Sequence, residues 1–528
     1  MSWRKIFSFL FFPLLYVFAQ DFEYDYLIHG ARIIDGSGAP WFVGDVAIKG
    51  DKIVAVGYKL DRKKAKNFIN AEGLYLAPGF IDIHSHARGG LLSDPTMENV
   101  LRQGVTTVIE GNDGSSPLPL SVAFSEFGKL PLGANIGFFV GHGSVRDSVM
   151  GWENRKATRD EINRMKKIVE DAMKEGAFGV STGLIYPPGS FADTDEIIEL
   201  CKVASEYGGI YITHMRSESN KIMEAIEEAI KIGKEAKIPV QITHHKIVGR
   251  NNWGMSVKTL LRIERAREEE GVDITLDQYP YTATHTGITV LIPNWAMEGG
   301  EESLRERLKN PELRALIKQG IIENMRSDRG SGDPANIQIG SCRWKPEYQG
   351  KTLAQILKER GLEPNFENAA ELVIEIVQNG GAMAIYHSLS EDDLQRIIRF
   401  PWTMHASDGG VAKPGMGFPH PRTYGTFPRV ISRYVKELGI LTLEEAIRKM
   451  TSLPAWRLKL FNRGMIRPGY YADIVIFDYK KFKDKATFDN PHQYAEGVVY
   501  LWVNGVLTIE KGELTGKTGG RILRRGEF

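Results

Sequence analysis

The pattern of apolar and polar positions divides the chain into two strand-rich ends and a long middle segment of a different kind. Between residues 26 and 76, short apolar runs alternate with turn residues, and the pair Gly50-Asp51 separates two of these runs. Such a pair between alternating runs is typical of a β-hairpin. Similar short strands return at 472–477 and 498–505. We therefore predict that the two chain ends form one small β-sandwich.

The middle segment alternates apolar runs with amphipathic stretches. Helices are predicted at 158–175, 193–206, 221–236 and 257–270. Thr158 and Glu161 form a capping-box pattern at the start of the first helix. Eight candidate strands end near His86, Asp113, His142, Ser181, His214, His244, Tyr279 and Asp408. Because alternating strands and helices are typical of a parallel sheet, we predict an α/β fold with a (β/α)8 TIM-like barrel, whose site lies at the carboxyl ends of the strands.

A long segment separates the seventh candidate strand from the eighth. It runs from about residue 285 to 400 and includes helical patterns at 302–318 and 352–360. Long excursions of this kind usually form lids or subdomains over a site. We therefore expect a barrel at 77–435 that carries this insertion, and a β-sandwich with the C-terminal region at 20–76 plus 436–528.

Residues 1–19 differ from the rest of the chain. Arg4 and Lys5 precede an apolar run at 6–18, and Ala19 follows as the last residue before a polar stretch. This order is typical of a secretory signal peptide, and the run is shorter than the roughly 20 residues of a membrane-spanning helix. We predict export to the periplasm or the medium, with an uncleaved membrane anchor as the alternative.

Composition limits the classes of partner. The 528 residues include 67 basic and 66 acidic side chains, so the formal charge is only +1. We therefore expect neither a nucleic-acid partner nor a stable membrane partner after signal cleavage. The two cysteines, Cys201 and Cys342, are too few for a disulfide framework and are expected to be structural. A ligand must be bound at a local site.

Histidines and an aspartate recur where the predicted strands end. His84 and His86 close an apolar run, and side chains two positions apart in a strand share a face, so both imidazoles can bind one metal ion. His214, His244 and Asp408 end three further runs. A carboxylate such as Asp408 can accept a proton from water and later return it to a leaving group. The sequence therefore predicts a catalytic site for one or two zinc ions, or for another divalent metal.

The sequence leaves two acids as candidates for a metal ligand from the second strand. Glu110 and Asp113 both lie at the end of this strand, and either side chain can reach a metal. His142 either faces the site or caps its strand. His245 follows His244 directly and therefore points to the opposite face, where we expect a structural role.

Several longer motifs follow one another from about Tyr26 almost to the end of the chain. They lie at 77–86, 104–107, 181–183, 186–188, 213–216, 244–246, 277–281, 407–409 and 420–429. In this order the motifs resemble the amidohydrolase superfamily and, more closely, the D-aminoacylase (N-acyl-D-amino-acid deacylase) family. The resemblance implies a zinc-dependent hydrolase in a distorted barrel.

The resemblance also implies roles for individual residues. The positions that match the family's metal ligands are His84, His86, His214 and His244. Asp408 matches the catalytic acid and base. Among the implied substrate contacts, Tyr186 matches a carbonyl-polarising group, and the carboxylate-binding positions are Lys246, Tyr279 and Arg422.

Two departures from the family pattern change the expectations. Asn112-Asp113-Gly114 stands where the family usually has Asn-Cys-Gly, which favours Asp113 slightly over Glu110 as the ligand. A carboxylate is a harder ligand than a thiolate, so the metal affinity and the number of bound ions are expected to change. Thr284-His285-Thr286 stands where the family tends to have serines, and His285 is a further substrate-binding candidate.

The leading hypothesis is hydrolysis of the amide bond of N-acyl-D-amino acids, which releases a carboxylate and a D-amino acid. Because 286–295 contains no arginine or lysine, we expect apolar D-residues to be preferred over D-aspartate and D-glutamate. The alternative is a cyclic amidase or an isoaspartyl or D-dipeptidase, although these relatives generally use a lysine on the fourth strand and 179–182 contains none. An inactive exported binding protein is less favoured, because a binder does not need the proton carrier Asp408.

Overall fold

The computed structural model describes residues 22–527. The predicted signal peptide at 1–19 lies outside the described residues. Cys201 and Cys342 are both buried, and neither forms a disulfide. Among the helices of residues 22–527, none combines the length and the apolar character needed to cross a bilayer.

Short strands occur throughout the described part of the chain. In chain order they are β1 (Tyr24–Ile33), β2 (Phe42–Lys49), β3 (Lys52–Gly57), β4 (Ala65–Asn70), β5 (Tyr75–Pro78), β6 (Phe80–Asp82), β7 (Val105–Glu110), β8 (Asn135–Phe138), β9 (Val140–Gly141), β10 (Gly179–Gly183), β11 (Ile210–His214), β12 (Val240–Ile242), β13 (Ile274–Gln278), β14 (Thr284–Gly287), β15 (Ile337–Ile339), β16 (Met383–Tyr386), β17 (Thr403–His405), β18 (Ile474–Phe477), β19 (Val498–Val503), β20 (Val506–Glu510) and β21 (Glu513–Leu514).

Helices follow most strands of the middle segment. In chain order they are α1 (Arg88–Leu91), α2 (Glu98–Leu101), α3 (Leu120–Phe127), α4 (His142–Met150), α5 (Arg159–Glu175), α6 (Thr194–Glu206), α7 (Ile222–Ala236), α8 (Ser256–Glu268), α9 (Gly300–Arg307), α10 (Pro311–Ser327), α11 (Leu353–Glu359), α12 (Phe366–Gln378), α13 (Glu391–Arg399), α14 (Arg422–Arg429), α15 (Leu443–Met450) and α16 (Ser452–Arg457). A π-helical segment at Val430–Glu437 continues α14.

The two chain ends share one nine-stranded sheet. Its order is β21-β20-β19-β18-β5-β1-β2-β3, and β4 pairs with β1. The ends meet where β5 pairs antiparallel with β18, with Ala77 opposite Val475. Ile28, Ile474 and Trp502 are fully buried in the core of this sheet. The two chain ends therefore meet in one sheet, and the predicted β-sandwich stays a prediction.

The strands of the middle segment are parallel and belong to two sheets. One has the order β6-β7-β8 and the other β17-β13-β12-β11-β10-β9. Only Phe139 separates β8 from β9. On the other side of the two sheets, Ser85 and Gly409 form a parallel bridge, and the amide of Asp408 donates to the carbonyl of His84 over 2.9 Å. All eight predicted strand positions contain strands, and their carboxyl ends face one region.

The helices between these strands agree closely with the prediction. Helix α5 begins at Arg159, and the capping box of Thr158 and Glu161 is present in both directions. Helices α6, α7 and α8 begin and end within two residues of the predicted bounds. The apolar stripe of each helix packs against the parallel strands, which is why the helical periodicity is visible in the sequence.

The helical pattern at 302–318 corresponds to two helices. The chain forms α9 and α10 there, because Asn310 caps the second helix and Pro311 occupies its first turn. Proline lacks an amide donor and fits the first turn of a helix but not its interior. The insertion has its own apolar core around Ile317, Ile321 and Val373, and strands β14, β16 and β15 form a separate antiparallel sheet in it.

Candidate metal and substrate site

A cavity of about 470 Å³ opens at the carboxyl ends of the parallel strands. The insertion contributes to its wall through Thr284, Thr286, Arg329 and Met383. Most residues proposed from the sequence line this cavity: His86, Asp113, Tyr186, His214, His244, Lys246, Tyr279, His285, Asp408 and Arg422. His84 lies just beneath them and is fully buried.

One group of possible metal ligands consists of His84, His86, Asp113 and Asp408, whose ligand atoms all lie within 4.8 Å of one another. The two Nε2 atoms of His84 and His86 are 3.3 Å apart. Asp408 Oδ1 lies 3.6 Å from His84 Nε2 and 3.2 Å from His86 Nε2. Asp113 Oδ2 lies 3.5 Å from each of the same nitrogens.

A second group consists of Asp113, His214 and His244. Asp113 Oδ1 lies 3.7 Å from His214 Nδ1 and 3.5 Å from His244 Nε2. Asp113 therefore belongs to both groups and turns a different oxygen toward each. Its Oδ1 and the Nδ1 of His214 are buried and have no hydrogen-bond partner within the described residues. Buried polar atoms without a partner are costly, and a divalent cation between these ligands would satisfy them.

The electrostatics of the two groups also favour a cation. Burial alone would lower the pKa of His86, but Asp113 and Asp408 outweigh it and raise this pKa to about 10. Burial alone would raise the pKa of Asp408, but the Arg422 guanidinium and the neighbouring imidazoles hold it well below its usual range. Burial alone would raise the pKa of Asp113 too, but the His84 and His244 imidazoles hold it well below its usual range. Both carboxylates are thus ionised, which is the state that binds a metal.

Three residues of the site have a left-handed backbone conformation. Asp113, His244 and Asp408 have φ angles of 54°, 36° and 48°. This conformation costs a residue other than glycine about 1–3 kcal/mol and recurs at functional sites. Each of the three residues lies just beyond the end of its strand, where the left-handed backbone redirects the side chain.

The other candidates for the metal site lie elsewhere. The Glu110 carboxylate accepts a hydrogen bond from the Arg88 amide over 2.9 Å, and burial raises its pKa. His142 Nε2 lies 2.7 Å from Glu196 Oε1, and His245 Nε2 lies 2.9 Å from Thr259 Oγ1. The geometry therefore favours Asp113 over Glu110 as the ligand from the second strand.

The substrate-binding candidates surround the Asp408 side of the cavity. Arg422 Nη1 lies 2.8 Å from Asp408 Oδ2, and the guanidinium carbon lies 4.6 Å from the centre of the Tyr279 ring. The Tyr279 hydroxyl is buried and has no hydrogen-bond partner among the described residues. Tyr186 Oη lies 3.0 Å from Thr286 Oγ1. Burial lowers the pKa of His285 to about 3, so this imidazole is neutral.

Lys246 differs from its expected environment. Its Nζ lies 2.6 Å from His244 Nδ1 and donates to Glu218 Oε1 over 2.5 Å. The charge of Lys246 is therefore already paired within the protein, although the side chain lines the cavity.

Sequence analysis missed three residues of this environment. Glu218 is 3% exposed and pairs with Lys246 and with Arg329 of the insertion. Asp277 accepts hydrogen bonds from the His244 amide over 2.7 Å and from Thr243 Oγ1 over 3.0 Å. Asp277 lies within a motif that was noted only for the resemblance, and Arg329 has no local signal at all.

Comparisons with known proteins agree with this geometry. The model of the amidohydrolase family matches residues 67–127 and 132–509. The D-aminoacylase of Alcaligenes xylosoxydans xylosoxydans is 38% identical over 95% of this chain and 98% of its own. The N-acyl-D-aspartate deacylase of the same organism is 37% identical over 95% of both chains.

A solved structure gives the same result. The N-acyl-D-glutamate deacylase of Bordetella bronchiseptica, in complex with zinc and a phosphonate mimic of the tetrahedral intermediate, is 32% identical to this chain. The two structures match with a TM-score of 0.78 over 95% of this chain and 99% of the other. The protein therefore belongs to the amidohydrolase family and, within it, to the D-aminoacylases and related N-acyl-D-amino-acid deacylases.

Proposed function

We propose that the protein hydrolyses the amide bond of N-acyl-D-amino acids and releases a carboxylate and a free D-amino acid. The observation that carries this proposal is the pair of ligand groups joined by Asp113, with the carboxylate of Asp408 between the imidazoles and Arg422. Relatives named for the deacylation of D-aspartate and D-glutamate derivatives support the reaction class.

A divalent metal, with zinc as the first candidate, fits the donor set of imidazoles and carboxylates. When bound, such an ion lowers the pKa of water and polarises the scissile carbonyl. His84, His86, Asp113 and Asp408 would hold one ion. Asp113, His214 and His244 would hold a second ion or the only one.

Asp408 is the proposed proton carrier of the reaction. Its carboxylate accepts a proton from the attacking water and donates it to the nitrogen of the leaving amine. Arg422 contacts Oδ2 of Asp408 and keeps this side chain in one orientation. The unpaired hydroxyl of Tyr279 lies beside Arg422 and is placed to bind the substrate carboxylate, while Tyr186 polarises the acyl carbonyl.

The finer architecture belongs to the same proposal. We infer that the two parallel sheets are one eight-stranded barrel, since β8 and β9 are parts of one extended segment and Ser85 bridges Gly409 on the other side. We also infer that the terminal sheet folds over as a sandwich, because the amide of Ile53 in β3 donates to Tyr470, close to β18. The division at residues 77 and 435, and export by residues 1–19, are proposed with it.

A paired substrate screen tests the proposal. Purified protein with measured metal content is incubated with N-acetyl-D-leucine and N-acetyl-L-leucine, and the free amino acid is quantified. The D-substrate should be cleaved and the L-substrate should not. A hydantoin in the same screen tests the cyclic amidase alternative. Hydantoin cleavage without cleavage of the D-substrate would overturn the proposal.

A further inference from the structure

The Glu218 carboxylate lies behind two of the proposed metal ligands. It is buried, with its Oε2 3.4 Å from His214 Nε2 and its Oε1 3.1 Å from His244 Nδ1. The other nitrogen of each ring, Nδ1 of His214 and Nε2 of His244, faces Asp113. Glu218 and Asp113 therefore flank both imidazoles from opposite sides.

This arrangement determines which nitrogen of His214 can bind a metal. A neutral imidazole has one N–H donor and one lone pair, on different nitrogens. A carboxylate that accepts the N–H on one side leaves the lone pair on the other side, toward the metal. Glu218 would thus select the Nδ1 lone pair of His214. On the His244 ring, Lys246 Nζ lies nearer to Nδ1 than Glu218 does, at 2.6 Å against 3.1 Å, so the carboxylate does not by itself fix that ring.

We propose that Glu218 is a positioning residue that orients His214 for the metal and couples the metal site to the insertion. This inference rests on the proposed function. Its Oε2 lies toward His214, and its Oε1 lies toward Lys246, which in turn contacts His244.

The insertion enters the network through Arg329. Its Nη2 donates to Glu218 Oε2 over 2.9 Å, and the side chain is buried. Lys246 donates to the other oxygen. Two cations therefore hold a buried carboxylate that would otherwise be costly. One of them comes from a segment 111 residues away in the chain, so the position of the insertion affects the orientation of the metal ligands.

The test measures metal affinity by competition with a chromophoric chelator. Glu218→Gln should lower the metal affinity by about 10- to 100-fold, as is typical for the loss of a group that orients a metal ligand. This variant also leaves Arg329 without its counter-charge and can lose stability for that reason. The deciding comparison is therefore the metal affinity of the single variant Arg329→Gln against that of the double variant Glu218→Gln/Arg329→Gln. Both variants lack the arginine, and they differ only in the carboxylate.

Loss of about 10-fold or more in the double variant relative to Arg329→Gln, with a changed visible spectrum of the Co²⁺-loaded protein, is the expected result. Equal affinity and equal spectra in these two variants would overturn the inference.

Glu196→Gln is the matched control, because Glu196 is a buried carboxylate that contacts His142 and Arg146 outside both ligand groups. It should retain the wild-type affinity, and an equal loss there would assign the effect to general destabilisation. Wild-type protein that holds no metal would instead refute the proposed function.

Discussion

Replacement of Asp408 by asparagine separates proton transfer from metal binding and protein stability. Asparagine preserves the shape of the side chain but cannot accept and return a proton. General acid–base catalysis contributes about 10²- to 10⁴-fold, so kcat should fall by this factor, equivalent to about 3–5 kcal/mol in the activation barrier. Bound metal should largely persist, because Asp113 and the four histidines remain.

The structure also gives the cost of this substitution to stability. Arg422 is 2% exposed and pairs with Asp408 Oδ2 over 2.8 Å. Removing one partner of a buried pair costs about 3–5 kcal/mol, and the amide oxygen of asparagine can still accept from Arg422, which places the cost toward the lower end. Single domains have about 5–15 kcal/mol of stability, so the variant should fold.

The assay is steady-state hydrolysis of N-acetyl-D-leucine by metal-loaded, folded protein, with metal content and circular dichroism measured on the same sample. A kcat within tenfold of the wild type, with metal bound, would refute the role of Asp408. A loss of activity that merely follows a loss of metal would show that Asp408 acts only as a ligand.

Three further predictions follow from individual contacts. Asp113→Ala should reduce metal affinity about 10-fold or more, whereas Glu110→Ala should not, and metal titration of both variants distinguishes them. The kcat/KM for N-acetyl-D-leucine should exceed that for N-acetyl-D-glutamate, and equal values would contradict the predicted preference for apolar D-residues. Arg422→Ala should lower kcat/KM for both substrates, by an amount equivalent to about 2 kcal/mol. Burial lowers the pKa of Lys449 to about 7. Between this pH and about 10.4, the ordinary pKa of a lysine, the unfolded chain therefore binds more protons than the folded protein. The free energy of unfolding should rise with pH in this range, by at most about 1.4 kcal/mol per pH unit. Lys449→Met should remove this rise in urea denaturation series, and an unchanged slope would show that the buried lysine does not titrate in this range.

The strand ends of the site could be predicted from the sequence because apolar runs, helical periodicity and chain order are local or sequential signals. The pairing of His84 with His86 is instructive. Strand β6 ends at Asp82, before either histidine, yet the rings meet. Their backbone continues the ladder through Ser85 to Ile109 and through His86 to Gly409, so the alternation of side chains persists beyond the strand.

The choice between Glu110 and Asp113 could not be predicted in the same way. Strand β7 ends at Glu110, and Asp113 follows in a loop with a left-handed backbone. The periodicity of apolar residues carries no information about such a conformation. Both positions hold a carboxylate, so the residue type does not distinguish them as metal ligands either. Only the resemblance to the family pointed to Asp113, because the position is equivalent to a cysteine ligand.

Charge balance explains why Lys246 and Arg329 are needed although neither is a metal ligand. The acids in contact with the site's imidazoles or their amides are Asp82, Asp113, Glu218, Asp277 and Asp408. The cations paired with them are Lys246, Arg329 and Arg422. These acids outnumber the three cations, so a divalent ion would offset the excess of negative groups. Each of the three cations already has a carboxylate partner, so the second carboxylate of a D-glutamate derivative would enter a partly desolvated cavity without a free cation among them. This argument supports the preference for apolar D-residues that the sequence suggested from the stretch after the seventh strand, and the comparison of kcat/KM values tests it.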